Sequence, residues 1–174
     1  FKDIDTAIRR SSNPYRVPLA FPYGETPLAT LKIIADRCGL SADDKVVELG
    51  CGRGRSVFFL NHYKKCQVRG IEWVPDFVAY AQSVAGRFKV EGVSFECADM
   101  RQADLKDATF VYLYGTCLDD ISIEQIKASL KTLPAQAKIV TVSYPMEGLK
   151  IEDQFTASFP WGEGEVFVLR PSLG

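Results

Sequence analysis

Histidine is almost missing from these 174 residues: the single copy, His62, falls beside Lys64 and Lys65 late in a helical stretch and reads as a surface residue. No imidazole base therefore stands near any nucleophile in sequence, which argues against histidine-activated covalent catalysis. Cysteine occurs five times, as Cys38, Cys51, Cys66, Cys97 and Cys117, with no CxxC pair and no close spacing. That set indicates neither a disulfide framework nor a zinc site, and a reducing compartment, the cytoplasm, is the expected location. No apolar run approaches the roughly 18 residues of a membrane span, and no signal-peptide pattern is present in these residues. Nor is there an excess of positive charge. Lysine plus arginine is 21 against 22 for aspartate plus glutamate, a net charge of -1. Without a global positive field, nucleic acid is an unexpected partner.

What is present is ordinary for a globular protein. Hydrophobic residues make up 47% and charged residues 25%, and the length suits one compact domain. There is no internal repeat and no low-complexity segment. Residues 1–25 carry Pro14, Pro18 and Pro22 and read as an irregular arm after a short helix over Ile4–Arg10. The expected division is that arm, 1–25, and one domain, 26–174. Thr26 and Pro27 have the residue types of an N-cap and a first helical position, Leu28, Leu31, Ala35 and Cys38 recur at helical spacing, and Gly39 ends the helix.

Beyond this helix, strands and helices alternate. Strands are expected over 45–48, 67–72, 93–97, 110–114 and 138–143. Helices fall over 56–63, from Pro75 with Phe77, Ala81, Val84 and Phe88 on one face, and from a capping box of Ser122 and Gln125 with Ile123, Ile126, Leu130 and Leu133 as its stripe. From Phe155 the pattern becomes strand-like alternation around the turn 160–164, which predicts a closing antiparallel hairpin. The expected fold is α/β, a Rossmann-like doubly wound sheet, mostly parallel, with a C-terminal antiparallel hairpin.

Between the first strand and the following helix lies Gly50-Cys51-Gly52-Arg53-Gly54, preceded by Glu48. Glycines at this point of a doubly wound sheet let backbone approach a ligand where side chains would collide. The GxGxG spacing is not the GxGxxG of a dinucleotide site. Glu48 would repel a pyrophosphate, whereas it can hold the ammonium of an amino-acid ligand through water. S-adenosylmethionine has that polarity, an amino-acid tail and no phosphate. Glu72 ends the second strand, where a carboxylate can accept from both ribose hydroxyls. Asp99 follows the third strand, suited to an adenine amino group while Met100 or Trp73 covers the ring.

The set Glu48, Gly50, Gly52, Gly54, Glu72 and Asp99, in this order at strand ends, resembles the class I S-adenosylmethionine-dependent methyltransferases over roughly residues 26–170. The resemblance implies that each residue carries the ligand role just given, and that Cys51, inside the first motif, is a cofactor-binding position with them. The helix usual between the fifth and sixth strands has little room in 145–150, a departure near the hairpin. Pro22-Tyr23-Gly24-Glu25-Thr26 is similar to the YGET loop of the histone lysine methyltransferases named for disruption of telomeric silencing. This implies cofactor contacts for Tyr23, Glu25 and Thr26. Tyr112-Leu113-Tyr114-Gly115 resembles the aromatic fourth strand of compact bacterial and mitochondrial lysine methyltransferases.

Each position has a plainer reading beside the functional one. Thr26 is explained as an N-cap, Asp99 as a turn residue, Tyr112 and Tyr114 as packing residues on one strand face, and Cys51 as a small packing residue in the loop. Asp119 and Asp120 read as caps of the next helix. The expected activity is methyl transfer from S-adenosylmethionine to a nucleophilic acceptor, a protein lysine first, with Tyr114 the residue nearest the chemistry. A small-molecule methyltransferase and a non-catalytic S-adenosylmethionine-binding protein are the alternatives. Base methylation of nucleic acid is disfavoured, because no Asn/Asp-Pro-Pro-aromatic tetrad and no Pro-Cys motif occurs.

Overall fold

The computed structural model of the protein describes residues 4–10, 24–115 and 118–171. Tyr23, the three arm prolines and Cys117 lie outside the described residues. The elements run α1 (Ile4–Arg10), α2 (Leu28–Arg37), β1 (Lys45–Leu49), α3 (Arg55–Lys64), β2 (Gln67–Glu72), α4 (Pro75–Phe88) and β3 (Val93–Cys97). A 3-10 turn, Met100–Gln102, precedes β4 (Phe110–Leu113), α5 (Asp120–Leu130), β5 (Lys138–Val142), β6 (Lys150–Phe159) and β7 (Gly162–Arg170). No helix among the described residues is long and apolar enough to cross a membrane.

The seven strands form one sheet in the order β3-β2-β1-β4-β5-β7-β6. Strands β1 to β5 are parallel, and β7 enters antiparallel between β5 and β6. The order reverses direction between β1 and β4, so the loops after these two strands diverge and open a crevice at their carboxyl ends. The expected Rossmann-like architecture with its closing hairpin is the observed one.

Each face of the sheet carries its own core. On one side Val46, Phe110, Tyr112, Val140 and Val168 meet Leu31 and Ile34 of α2 and Val57 and Leu60 of α3. On the other, Val47, Leu49, Val111, Leu113 and Ile139 meet Ile123, Ile126 and Leu130 of α5. All four residues of β4 are buried, as a central strand covered on both faces requires. Alternate residues of one strand thus serve two separate cores.

Several local expectations shift. Pro27, not Thr26, is the N-cap of α2, and no side chain caps it. The Thr26 hydroxyl instead pairs with the buried Tyr112 phenol at 2.6 Å, since a hydroxyl enclosed in the core needs a partner. Helix α5 starts earlier than the Ser122 and Gln125 box implies. Asp119 is its N-cap and accepts from the Ser122 N–H at 2.8 Å, while the Ser122 hydroxyl is buried without a hydrogen-bond partner. Phe88, expected on the inner face of α4, is 66% exposed at the helix end. Strand β6 begins at Lys150, five residues before the start expected at Phe155, and no helix lies between β5 and β6. Helix α1 buries Ala7 against Val74 and Phe77, so its apolar face is docked on the turn after β2.

Candidate active site

The crevice at the switch point is lined by Gly24, Glu25, Thr26, Glu48, Gly50, Cys51, Gly52, Arg55, Ser56 and Tyr114. Three chain segments meet here: the turn before α2, the end of β1 with its glycine loop running into the start of α3, and the residue that follows β4. A wider depression lies at the opposite, amino ends of β1 to β3, lined by Lys45, Gln67, Arg69, Asp104 and Asp107 among others. That edge lies away from the carboxyl ends of the parallel strands, where ligands of such sheets bind.

One buried acidic side chain, Glu48, lines the crevice, and a second, Glu72, lies against its glycine loop. Glu48 is 5% exposed and Glu72 6%. Ser56, in the first turn of α3, donates its hydroxyl to both Glu48 oxygens at 2.5 and 2.6 Å. Glu72 accepts the Gly52 N–H on one oxygen and the Val74 N–H on the other, each at 2.9 Å. It thereby ties the glycine loop to the turn after β2. Burial raises the pKa of Glu72. Burial also pushes Glu48 up to about 8, with the hydrogen bond from Ser56 opposing the rise and the negative charges of Glu72 and Glu25 adding to it.

Glu25 fastens the turn before α2 to the glycine loop. Its carboxylate accepts from Arg53 at 2.9 Å and from Arg55 at 3.3 Å. Both arginines escaped the sequence reading, although Gly52-Arg53-Gly54-Arg55 offered complementary charge for Glu25. Ser56 and the Thr26 partner Tyr112 escaped it as site-shaping residues too. Glu48 and Tyr112 are register partners on adjacent parallel strands, so one row of the sheet carries both.

The glycines divide by task. Gly50 has φ +80, and an added Cβ would stand 3.8 Å from the Met100 sulfur, which brings the segment after β3 over the loop after β1. The missing Cβ of Gly54 is on the core side, where an added Cβ would stand 2.7 Å from Phe95 Cζ and 3.2 Å from Ala81. Cys51 lines the crevice, yet its sulfur packs at 2.5 Å from the Cβ position of Gly70, near Val57. Burial raises its thiol pKa, so it is protonated and unsuited to nucleophilic work. Asp99 accepts from the Arg101 guanidinium and N–H, capping the 3-10 turn. Trp73 is half-buried between the α1 contact and the second core. Tyr114 accepts from the Trp161 indole N–H at 2.7 Å.

The family model of the ANTKMT methyltransferase domain matches residues 48–153, more than half of the chain. The chain belongs to this family. It is an S-adenosylmethionine-dependent methyltransferase. Among solved structures, an RNA methyltransferase from Salinibacter ruber in complex with S-adenosyl-L-homocysteine superposes with a TM-score of 0.71 at 22% identity, over 86% of this chain and 96% of that one. Geranyl diphosphate C-methyltransferase from Streptomyces coelicolor A3(2) gives 0.69 at 13% identity, over 83% and 79%. A mutant of MtNAS in complex with S-adenosylmethionine gives 0.69 at 16%, over 83% of this chain and 62% of that protein. These likenesses are of fold. No curated protein matches the sequence.

The residues of this ANTKMT methyltransferase domain suit its cofactor. Two buried acidic side chains at strand ends, with glycine backbone in the loop between them, offer oxygen acceptors of the kind an ammonium and ribose hydroxyls require. The raised pKa of Glu48 carries a stability consequence. Below about pH 4.5 both folded and unfolded chains hold the Glu48 proton; between 4.5 and 8 only the folded chain does. Stability therefore falls across that window as pH rises. The Glu48→Gln variant is expected to lose this slope and to gain on wild type by up to about a few kcal/mol between pH 5 and 8. Urea midpoints at pH 5, 6.5 and 8 measure it; parallel wild-type and variant profiles would refute the assignment.

Proposed function

We propose that this methyltransferase transfers its methyl group to the ε-amine of a protein lysine. The observation that carries the reading is Tyr114. It follows the end of β4, lines the same crevice as Glu48 and Gly50, and comes within 3.4 Å of the Cβ position of Gly24. Its similarity to the aromatic fourth-strand end of lysine methyltransferases, and that of Gly24-Glu25-Thr26 to the YGET loop, support the same acceptor.

When bound, S-adenosylmethionine supplies an electrophilic methyl on a sulfonium. The chain contributes binding, orientation and exclusion of water, which together can be worth roughly 7 to 11 kcal/mol in well-aligned systems. In this reading Glu72 accepts from ribose hydroxyls, Glu48 holds the amino-acid ammonium through water, and Gly50 and Gly52 give backbone access. Asp99, Met100 and Trp73 belong to the adenine end, and Glu25 and Thr26, with Tyr23 of the same loop, to the methionine end. Gly54 and the Cys51 thiol support the loop from behind. An amine acceptor must shed its proton before its lone pair can form the new C–N bond as the methyl–sulfur bond breaks and S-adenosylhomocysteine departs, and an apolar aromatic surrounding favours the uncharged form. Tyr114 supplies such a surface. The proton leaves to water.

The test uses the purified chain, tritiated S-adenosylmethionine and a cell lysate sorted into protein, nucleic-acid and small-molecule fractions. Base-stable label in protein, recovered as methylated lysine after hydrolysis, is expected, with turnover rising with pH through the acceptor's pKa. Label confined to small molecules or nucleic acid would overturn the lysine assignment and leave the methyltransferase activity standing.

A further inference from the structure

The β6/β7 hairpin reaches past the parallel sheet. The last register pair between β5 and β7 is Val142 with Val166, while β7 begins at Gly162. Four residues of β7 therefore overhang the carboxyl edge of the sheet, by about 13 Å at 3.3 Å per residue. This is the edge where the crevice opens.

The tip of the overhang is a built aromatic assembly. The rings of Phe159 and Trp161 stack at 5.3 Å with only 5° between their planes, and Phe159 stacks on Tyr114 at 5.6 Å. The Trp161 N–H donates to the Tyr114 phenol oxygen, so the tip is fastened directly to the crevice. Gly164 makes room for the stack, since an added Cβ would stand 2.9 Å from both Phe159 Cδ2 and Trp161 Cζ2. Phe159 is 6% exposed, whereas Trp161 is 52% exposed. One indole face is thus committed to Phe159 and a large part of the ring remains in solvent. Folding has spent a hydrogen bond and a stacking contact to hold an exposed apolar ring in one orientation. The exposed carboxylate of Glu163, on the same tip, adds negative charge beside the ring.

We propose that Trp161 is the acceptor-recognition residue: its outer face first receives the acceptor's side chain as a cation by a cation–π contact, before the amine sheds its proton at the crevice, and its bond to Tyr114 sets that face relative to the crevice. Tryptophan is the strongest side chain for such a contact, and the ring held by Phe159 and Tyr114 is already ordered before the acceptor arrives. The assignment rests on the lysine reading given above.

The experiment compares Trp161→Ala, Trp161→Leu and Trp161→Phe with wild type. Transfer from tritiated S-adenosylmethionine into lysate protein is followed as methyllysine over graded protein concentrations, and S-adenosylhomocysteine affinity is measured by calorimetry. Cofactor affinity within twofold of wild type in each variant is expected. The protein concentration at half-maximal rate should rise about 5- to 30-fold in the alanine and leucine variants, more than kcat falls. The phenylalanine variant, which keeps a ring but not the N–H, should fall between. Phenylalanine and leucine variants that behave alike, or an alanine variant with an unchanged half-saturation point, would overturn the role of Trp161 while wild-type methyllysine still upheld a lysine acceptor. A wild type that makes no methyllysine would remove both together. Should the alanine variant not fold, the leucine and phenylalanine pair carries the comparison.

Discussion

The Glu72→Ala variant is expected to bind S-adenosylhomocysteine about 10- to 150-fold more weakly than wild type, the loss of charge-assisted hydrogen bonds worth roughly 1.5 to 3 kcal/mol. Two effects act in the same direction. The carboxylate that would accept from the ribose hydroxyls is removed, and the acceptor of the Gly52 and Val74 N–H groups goes with it. The glycine loop after β1 and the turn after β2 then lose the side chain that joins them. Glu72→Gln separates the contributions, because an amide can accept on its oxygen only and turns a donor towards the other N–H. Its affinity should lie between those of wild type and alanine. Calorimetric titration gives the dissociation constants, with thermal unfolding of the free variants as the control for folding. An unchanged constant in a folded Glu72→Ala protein would show that ribose is held elsewhere.

The second large effect falls on stability. Gly54→Ala is expected to destabilise the domain by about 2 to 5 kcal/mol, the sum of a left-handed conformation for a residue with a Cβ and of overpacking against a full core. Gly54 has φ +79 at the N-cap of α3. The added methyl would overlap the Phe95 ring, which is 8% exposed and held by Phe58 with 5.2 Å between ring centroids. Gly148 supplies the comparison: its φ is +88, but nothing stands within 4 Å of an added Cβ. Gly148→Ala therefore carries the backbone contribution alone, about 1 to 2 kcal/mol. At Gly86, inside α4 with open space around it, alanine should stabilise by roughly 1 kcal/mol. Urea unfolding of the three variants orders them. A Gly54→Ala protein no less stable than Gly148→Ala would mean that Phe95 yields freely and that the third glycine is not a packing residue.

Such a packing role was hidden in the sequence, where Gly50, Gly52 and Gly54 look alike. The difference arises from Phe95, 41 positions further on, because the ring that occupies the missing Cβ volume comes from a strand two places away in the sheet. The alternation of strands and helices was legible for the opposite reason. Hydrophobic period, the glycine that ends α2 and the all-apolar run of β4 are local signals, and a parallel sheet buried on both faces amplifies them. The placement of Glu48, the glycine loop and Glu72 at the carboxyl ends of β1 and β2 was legible as well, since a strand end can be read along the chain.

Local reading failed wherever a polar side chain had a choice of partners. Thr26 has the composition of a helix cap, yet the buried Tyr112 phenol, 86 residues away, takes its hydroxyl. Glu25 is held by Arg53 and Arg55, and Tyr114 by Trp161 from the hairpin tip. Sequence by itself determined the fold class, the two acidic strand ends and the chemistry they suit. Only the tertiary structure decided which glycine packs against the core and which aromatic ring fastens the hairpin tip to Tyr114. The physical reason is that backbone periodicity and turn chemistry act over a few residues, whereas burial leaves each polar group to find whatever partner the packed chain brings within 3 Å.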